Sequence, residues 1–255
     1  MAWWRNTPLV IVIFLCLLFA TVVSAHAGTP ISERVAVEAG VKADVSKDLA
    51  LSYNPLEGLS GRTCLDGRPV DDFQCDIVEY WANLECTYCG IQEPVHAQRN
   101  NPNMCIVVRH IPSGEYGESL KKALSYEALK SFSVNAANLF WDSVVPKTAL
   151  GIPVPYEAAL LRAFQEAAIS PEQFSEILTK EASELVSHDI FMAQGRITTT
   201  PTYILAGIRF PACDFKASEL PSALDMAKKA RAGDNEAVER IIKIITNGLM
   251  NEAML

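Results

Sequence analysis

The sequence predicts an α/β protein in which a βαβ unit and a closing ββα unit are separated by a helical insertion. Three observations carry this expectation. Residues 76–81 (DIVEYW) and 104–110 (MCIVVRH) read as strands with a helix between them. The stretch from residue 115 to about 195 is helical in pattern. Residues 202–206 and 208–210 are β-branched and aromatic runs joined tightly at Ala206-Gly207, which reads as a hairpin.

The elements follow in order. The chain has 255 residues, 49% hydrophobic and 20% charged, a composition that excludes collagen-like, disordered and coiled-coil-only proteins. Its net charge is −8 and no basic tract stands out, so nucleic acid is not an expected partner. At the front, Arg5 precedes an apolar run over 8–23 and then Ser24-Ala25-His26-Ala27. That order reads as a secretory signal peptide cleaved after Ala27, with an apolar run short of the ~20 residues a span needs. No stable membrane span is expected after cleavage. Export into an oxidising compartment makes bridges or redox centres the first reading of the remaining cysteines.

Residues 28–60 form an N-terminal extension with a short helix around 32–45 and too few large apolar side chains for a core of its own. The strand at 76–81 leads through a loop at 82–85 into a helix starting at Cys86, which breaks at 100–103. The run at 104–110 is apolar on both faces, as in a buried parallel strand reached by a right-handed crossover. In the insertion, Leu120, Ala123 and Leu124 sit at helical spacing, and Pro153 and Pro155 are breakers. Ser170-Pro171-Glu172-Gln173 is an N-cap, N1 proline and capping box, with Phe174, Ile177, Leu178, Ala182 and Leu185 as the apolar stripe behind it. After Asp214 two helices close the chain, the last with Val238, Ile241, Ile245 and Leu249 on one face. The domain plan is therefore a leader at 1–27, the extension at 28–60, a discontinuous domain at 61–113 and 196–255, and an inserted helical subdomain at 114–195.

The chemistry concentrates at Cys86-Thr87-Tyr88-Cys89. A Cys-x-x-Cys that follows a strand and opens a helix places its first sulfur beside unpaired backbone N–H groups and the positive end of the helix dipole. These stabilise the thiolate, so Cys86 is expected to be the nucleophile with a lowered pKa. Cys89, one turn on, is expected to be more buried and to resolve the mixed disulfide. Half of a zinc site would need two further ligands, and neither a second Cys-x-x-Cys nor a His-x-x-x-His is present. A purely structural bridge is the other competing reading of a two-residue spacer.

The order of elements and the Cys86–Cys89 motif resemble the thioredoxin superfamily, and the helical insertion resembles its DsbA-like branch of periplasmic thiol–disulfide oxidoreductases. Thr200-Pro201, just before the hairpin, is similar to that family's cis-proline loop. The resemblance covers roughly residues 60–250. It implies a thioredoxin fold with a helical insertion between the βαβ and ββα halves, and a periplasmic location. It also implies a cis Thr200–Pro201 bond that shapes the site, where exposed backbone could take an extended client segment as an added strand. No cofactor and no metal are expected. The implied partners are cysteine-containing client proteins and a membrane or soluble redox partner.

Within the resemblance, Thr87-Tyr88 departs from the Pro-His of strongly oxidising relatives. Tyr88 and the Thr before the cis-proline are DsbC/DsbG-like features. Glu85, beside Cys86, should disfavour a neighbouring thiolate, unless it is simply a solvated loop residue. These features point to the isomerase or reductase direction, with net dithiol oxidase as the alternative. A client-binding chaperone module without redox turnover is the alternative of another class. Relatives often carry an acid six positions before the first Cys. Here Glu79 stands seven before and position 80 is Tyr, so Glu79 is a pKa-modulator candidate only if a loop insertion restores its place. Isomerases of this kind are usually oligomers, so 28–60 could be an oligomerisation arm or a draped extension.

Cys64 and Cys75 flank a turn around Asp66-Gly67 and Pro69 and are the favoured structural bridge; Cys75–Cys105 is the alternative, because both would lie near the starts of adjacent strands. Cys105 also reads as a buried free thiol, and Cys213 follows the hairpin. His96, His110 and His188 are scattered, with none at metal-ligand spacing to the Cys pair.

Overall fold

The computed structural model describes residues 31–72, 76–92, 94–113, 117–146, 153–211, 215–216 and 218–252. The expected leader, Cys75 and Cys213 lie outside the described residues. None of the described helices is long and apolar enough to cross a membrane.

The described residues begin with α1 (Ile31–Ala50) and run through β1 (Ile77–Ala82), α2 (Thr87–Ile91), α3 (Pro94–Asn100) and β2 (Cys105–His110). The insertion contributes α4 (Glu118–Phe132), α5 (Val134–Val144), α6 (Tyr156–Ala167), α7 (Pro171–Ile177), a π-helical turn (Leu178–Ala182) and α8 (Ser183–Ala193). A hairpin of β3 (Thr202–Leu205) and β4 (Ile208–Pro211) leads to α9 (Leu220–Arg231) and α10 (Asn235–Glu252). The Ser170 capping box forms as its sequence requires, with Gln173 N–H donating to the Ser170 hydroxyl and Ser170 N–H to the Gln173 side chain.

The sheet order is β2-β1-β3-β4, with β1 parallel to β2 and antiparallel to β3, and β3 antiparallel to β4. Period-two alternation splits its side chains cleanly. Val78, Tyr80, Ile106, Val108, Tyr203, Leu205 and Phe210 join the main core with α4, α5, α9 and α10. On the other face lie Trp81 and Ile204, and beside them Arg109, whose guanidinium sits 4.5 Å from the Trp81 ring centroid. The hairpin turn holds Ala206 and Gly207 at positive φ (47° and 80°), and a Cβ on Gly207 would lie 2.6 Å from the Tyr53 ring. Only glycine meets both demands.

Buried charge joins the sheet to the insertion beside the apolar clusters. Arg62 and Arg109 both donate to Asp189 of α8, Arg62 at 2.6 Å, and Arg109 donates to Glu79 at 3.2 Å. His110 N–H donates to the other Asp189 oxygen at 2.9 Å, and the His110 ring pairs with Glu127 of α4 at 2.8 Å. A buried charge is tolerable only when paired and hydrogen-bonded. Here the pairing ties the insertion to β1 and to the edge strand β2.

Both sheet edges are capped at one position each. Ile106 lies on the free edge of β2: its N–H donates to the Gln98 side-chain oxygen at 2.7 Å, and its C=O accepts from the Leu65 backbone N–H at 2.9 Å. On the β4 edge, Asp48 of α1 accepts the Arg209 N–H at 3.0 Å and its Nε–H at 2.9 Å. Unpaired edges invite strand addition, and this protein leaves neither open at those positions.

Two expectations are corrected. The structural bridge joins Cys64 to Cys105, with Cα atoms 5.1 Å apart, in place of Cys64–Cys75 or Cys75–Cys105. The 62–69 turn lies against the free edge of β2, and Leu65 pairs with Ile106, so Cys64 falls directly beside Cys105. The extension is also more than a short helix. α1 runs 20 residues, and its stripe of Val37, Val41, Val45 and Leu49 packs into the chain's own core.

Candidate active site

Cys86 is the N-cap residue of α2, with φ −84° and ψ 116°, and its Sγ accepts the Cys89 N–H at 3.4 Å. The loop before it is set by Asn83, whose side-chain oxygen accepts from Glu85 N–H at 2.9 Å and from the Ser119 hydroxyl at 2.6 Å. Such a local Asx turn fixes the chain entering the helix. Cys86 is half-buried and Cys89 fully buried; both are free thiols.

The Thr200–Pro201 peptide is cis, and its loop stands across from α2. The Cys86 thiol donates to the Thr200 carbonyl at 3.4 Å. Hydrogen bonds from the Cys89 thiol, the backbone N–H groups of α2 and the Thr200 side chain hold the Cys86 pKa down to about 6, against a smaller opposing effect of burial. Burial pushes the Cys89 thiol strongly up, as do its hydrogen bond to Cys86 and the charge there. The pair is thus split into one group poised as thiolate and one held as thiol. Tyr88 and Ile91 stand exposed beside Cys86, while Thr87 is the first residue of the helix and half-buried.

The two carboxylate candidates are engaged by other partners. Glu85 pairs with Lys122 at 3.5 Å and is absent from the groups that set the Cys86 pKa. Glu79 lies on the opposite sheet face, buried against Arg109, and burial raises its pKa despite that partner. The strict register holds, so it is Tyr80 that projects beneath α2, its hydroxyl donating to the Cys89 carbonyl at 2.8 Å. Nothing in the residue type marked Tyr80; only its place six before Cys86 did.

Gly90 is a second residue that sequence reasoning missed. A Cβ there would lie 2.0 Å from the Pro146 carbonyl oxygen, because the end of α5 crosses directly over α2. A glycine directly after the motif was the available signal. Of the histidines, His110 is buried against Glu127 and His96 is exposed, bonded to Asn100.

No family model and no curated protein matches the sequence. Solved structures do. A Proteus mirabilis ScsC variant with a linker deletion is similar at 15% identity over 90% of this chain and 99% of that one, with a TM-score of 0.51. The thiol-disulfide exchange protein α-DsbA2 of Wolbachia pipientis is similar at 14% identity, 77% and 98% coverage and a TM-score of 0.49. A thioredoxin-like oxidoreductase of Silicibacter pomeroyi DSS-3 follows at 22% identity, 60% and 86% coverage and 0.47. Together with the sheet order, the first of these similarities shows that the chain has the thioredoxin fold, with a helical insertion between its βαβ and ββα halves.

Proposed function

We propose that the protein is an exported thiol–disulfide oxidoreductase that acts on the cysteines of client proteins. One observation carries the reading: a free Cys86 at a helix N-terminus, its pKa held at about 6, backed by a buried Cys89 and faced by the cis-proline loop. In the exchange, the Cys86 thiolate attacks a client disulfide, forms the mixed disulfide and releases one client thiolate. Cys89 then loses its proton and attacks the Cys86 sulfur. The Cys86–Cys89 bond forms, and the second client sulfur leaves as a thiol. A dithiol redox partner returns the pair to the dithiol and leaves as its own disulfide, or a client thiolate reverses the sequence.

The direction leans to isomerisation or reduction. Strongly oxidising pairs reach pKa values of about 3.5 and thioredoxin-type pairs about 7, and Cys86 falls nearer the second. No His stands between the cysteines to lower it further. Exposed Tyr88 and Ile91 give a client segment an apolar rim beside the nucleophile. Pro201 and Thr200 offer it a backbone partner, and both sheet edges are closed at Ile106 and Arg209. The test is the reduction potential of the pair in glutathione buffers. A value near about −200 mV or lower fits this direction, and one near about −120 mV makes the protein a net oxidase. A pair that does not exchange at all ends the redox reading.

A further inference from the structure

We propose that Tyr80 is a positioning residue for the Cys86–Cys89 pair, its buried hydroxyl holding Cys89 so that the Cys89 N–H and thiol stay aimed at Cys86; this rests on the redox reading above. α2 is only five residues long and ends two residues after Cys89. The Cys89 carbonyl therefore belongs to the terminal set that a helix leaves for outside donors. Tyr80 supplies one at 2.8 Å from the strand beneath.

The donor is rigid. Tyr80 is fully buried, with its ring 4.9 Å from Tyr203 and 6.3 Å from Trp141. Burial pushes its ionisation well above the ordinary range, so the hydroxyl remains a neutral donor wherever Cys86 titrates. Tyr126 provides the contrast. It touches the same Trp141 at 5.7 Å, yet its buried hydroxyl finds no hydrogen-bond partner among the described residues. Two tyrosines thus share one aromatic cluster, and only one reaches the pair.

The experiment is a pH titration of Cys86 thiolate absorbance in the full reduced chain, with exchange against glutathione measured in parallel. Tyr80→Phe keeps the ring and removes the bond. The Cys86 midpoint should rise by about 0.5–1 pH unit, the worth of one buried hydrogen bond, with a matching three- to tenfold change in the glutathione equilibrium. Tyr126→Phe should leave both unchanged. An unshifted midpoint in Tyr80→Phe, or an equal shift in both variants, overturns the proposal while the wild type still exchanges. If Tyr80→Phe does not fold, replacing Tyr80 by difluorotyrosine keeps its size and strengthens the donor. The midpoint must then fall, and no change overturns the proposal. A wild type that neither titrates nor exchanges overturns the redox reading itself.

Discussion

The carboxylate of Asp48 accepts both the backbone N–H and the side-chain Nε–H of Arg209, at 3.0 and 2.9 Å, and so closes the free edge of β4 from the N-terminal helix. Asp48 is 2% exposed and Arg209 is half-buried. Asp48→Ala leaves the Arg209 cation without its main partner, a loss of about 1–3 kcal/mol. The expected result is a clear fall in Tm by calorimetry, with increased self-association from the uncovered edge. An unchanged Tm would mean that α1 does not hold the edge.

The opposite edge carries a covalent version of the same device. Cys64 and Cys105 are separated by 41 positions, and opening a loop of that size releases denatured-state entropy worth about 4 kcal/mol. Cys64→Ser with Cys105→Ser should lower the unfolding free energy, measured by urea titration, by that order. The Cys86 titration should stay in place, since neither sulfur belongs to the active pair.

Alkylation reports the split between the two active cysteines. Cys86 lies below its ordinary value, so its reactivity with iodoacetamide should climb through pH about 6 and level off above it. Cys89 should remain unlabelled while the protein is folded. Cys86→Ser should abolish exchange, and Cys89→Ser should trap mixed disulfides with clients. Glu85→Gln should leave the Cys86 midpoint where it is, because that carboxylate pairs with Lys122.

Gly90 lies where the insertion meets the active-site helix. Ala at this position must move the Pro146 carbonyl from a 2.0 Å approach, an overpacking that costs about 1–3 kcal/mol or more. Gly90→Ala should lower Tm and change the exchange rate together. A stable variant with normal exchange would show that the end of α5 does not press on the site.

Acid should loosen the insertion first. Burial alone would raise the Glu127 pKa, but Lys130, His110 and Arg62 together outweigh it and hold the group at about 2. A carboxylate with a depressed folded pKa contributes stability that is complete above its unfolded value of about 4.3 and is lost as pH falls toward 2. Tm measured from pH 6 to 2 should therefore drop across that window, and Glu127→Gln should flatten the drop.

Much of this protein is legible in its residues. The period-two runs of β1, β2 and the hairpin, the capping box at Ser170 and the Cys-x-x-Cys at a helix start are local signals, and local chemistry fixes them. They suffice for the fold class, and they single out the pair proposed to be reactive. The sequence was silent wherever two distant segments meet. It showed Cys105 at the start of β2 but not that the 62–69 turn would run along the same edge and deliver Cys64 to it. It showed a weak stripe in α1 but not the Arg209 edge that gives the stripe and Asp48 their place. It offered Glu79 and Glu85 as carboxylates near the nucleophile, and the pleat and Lys122 turned both away. The hydroxyl under Cys89 is Tyr80's, because side chains on a strand alternate and only the packed sheet decides which face lies beneath the helix.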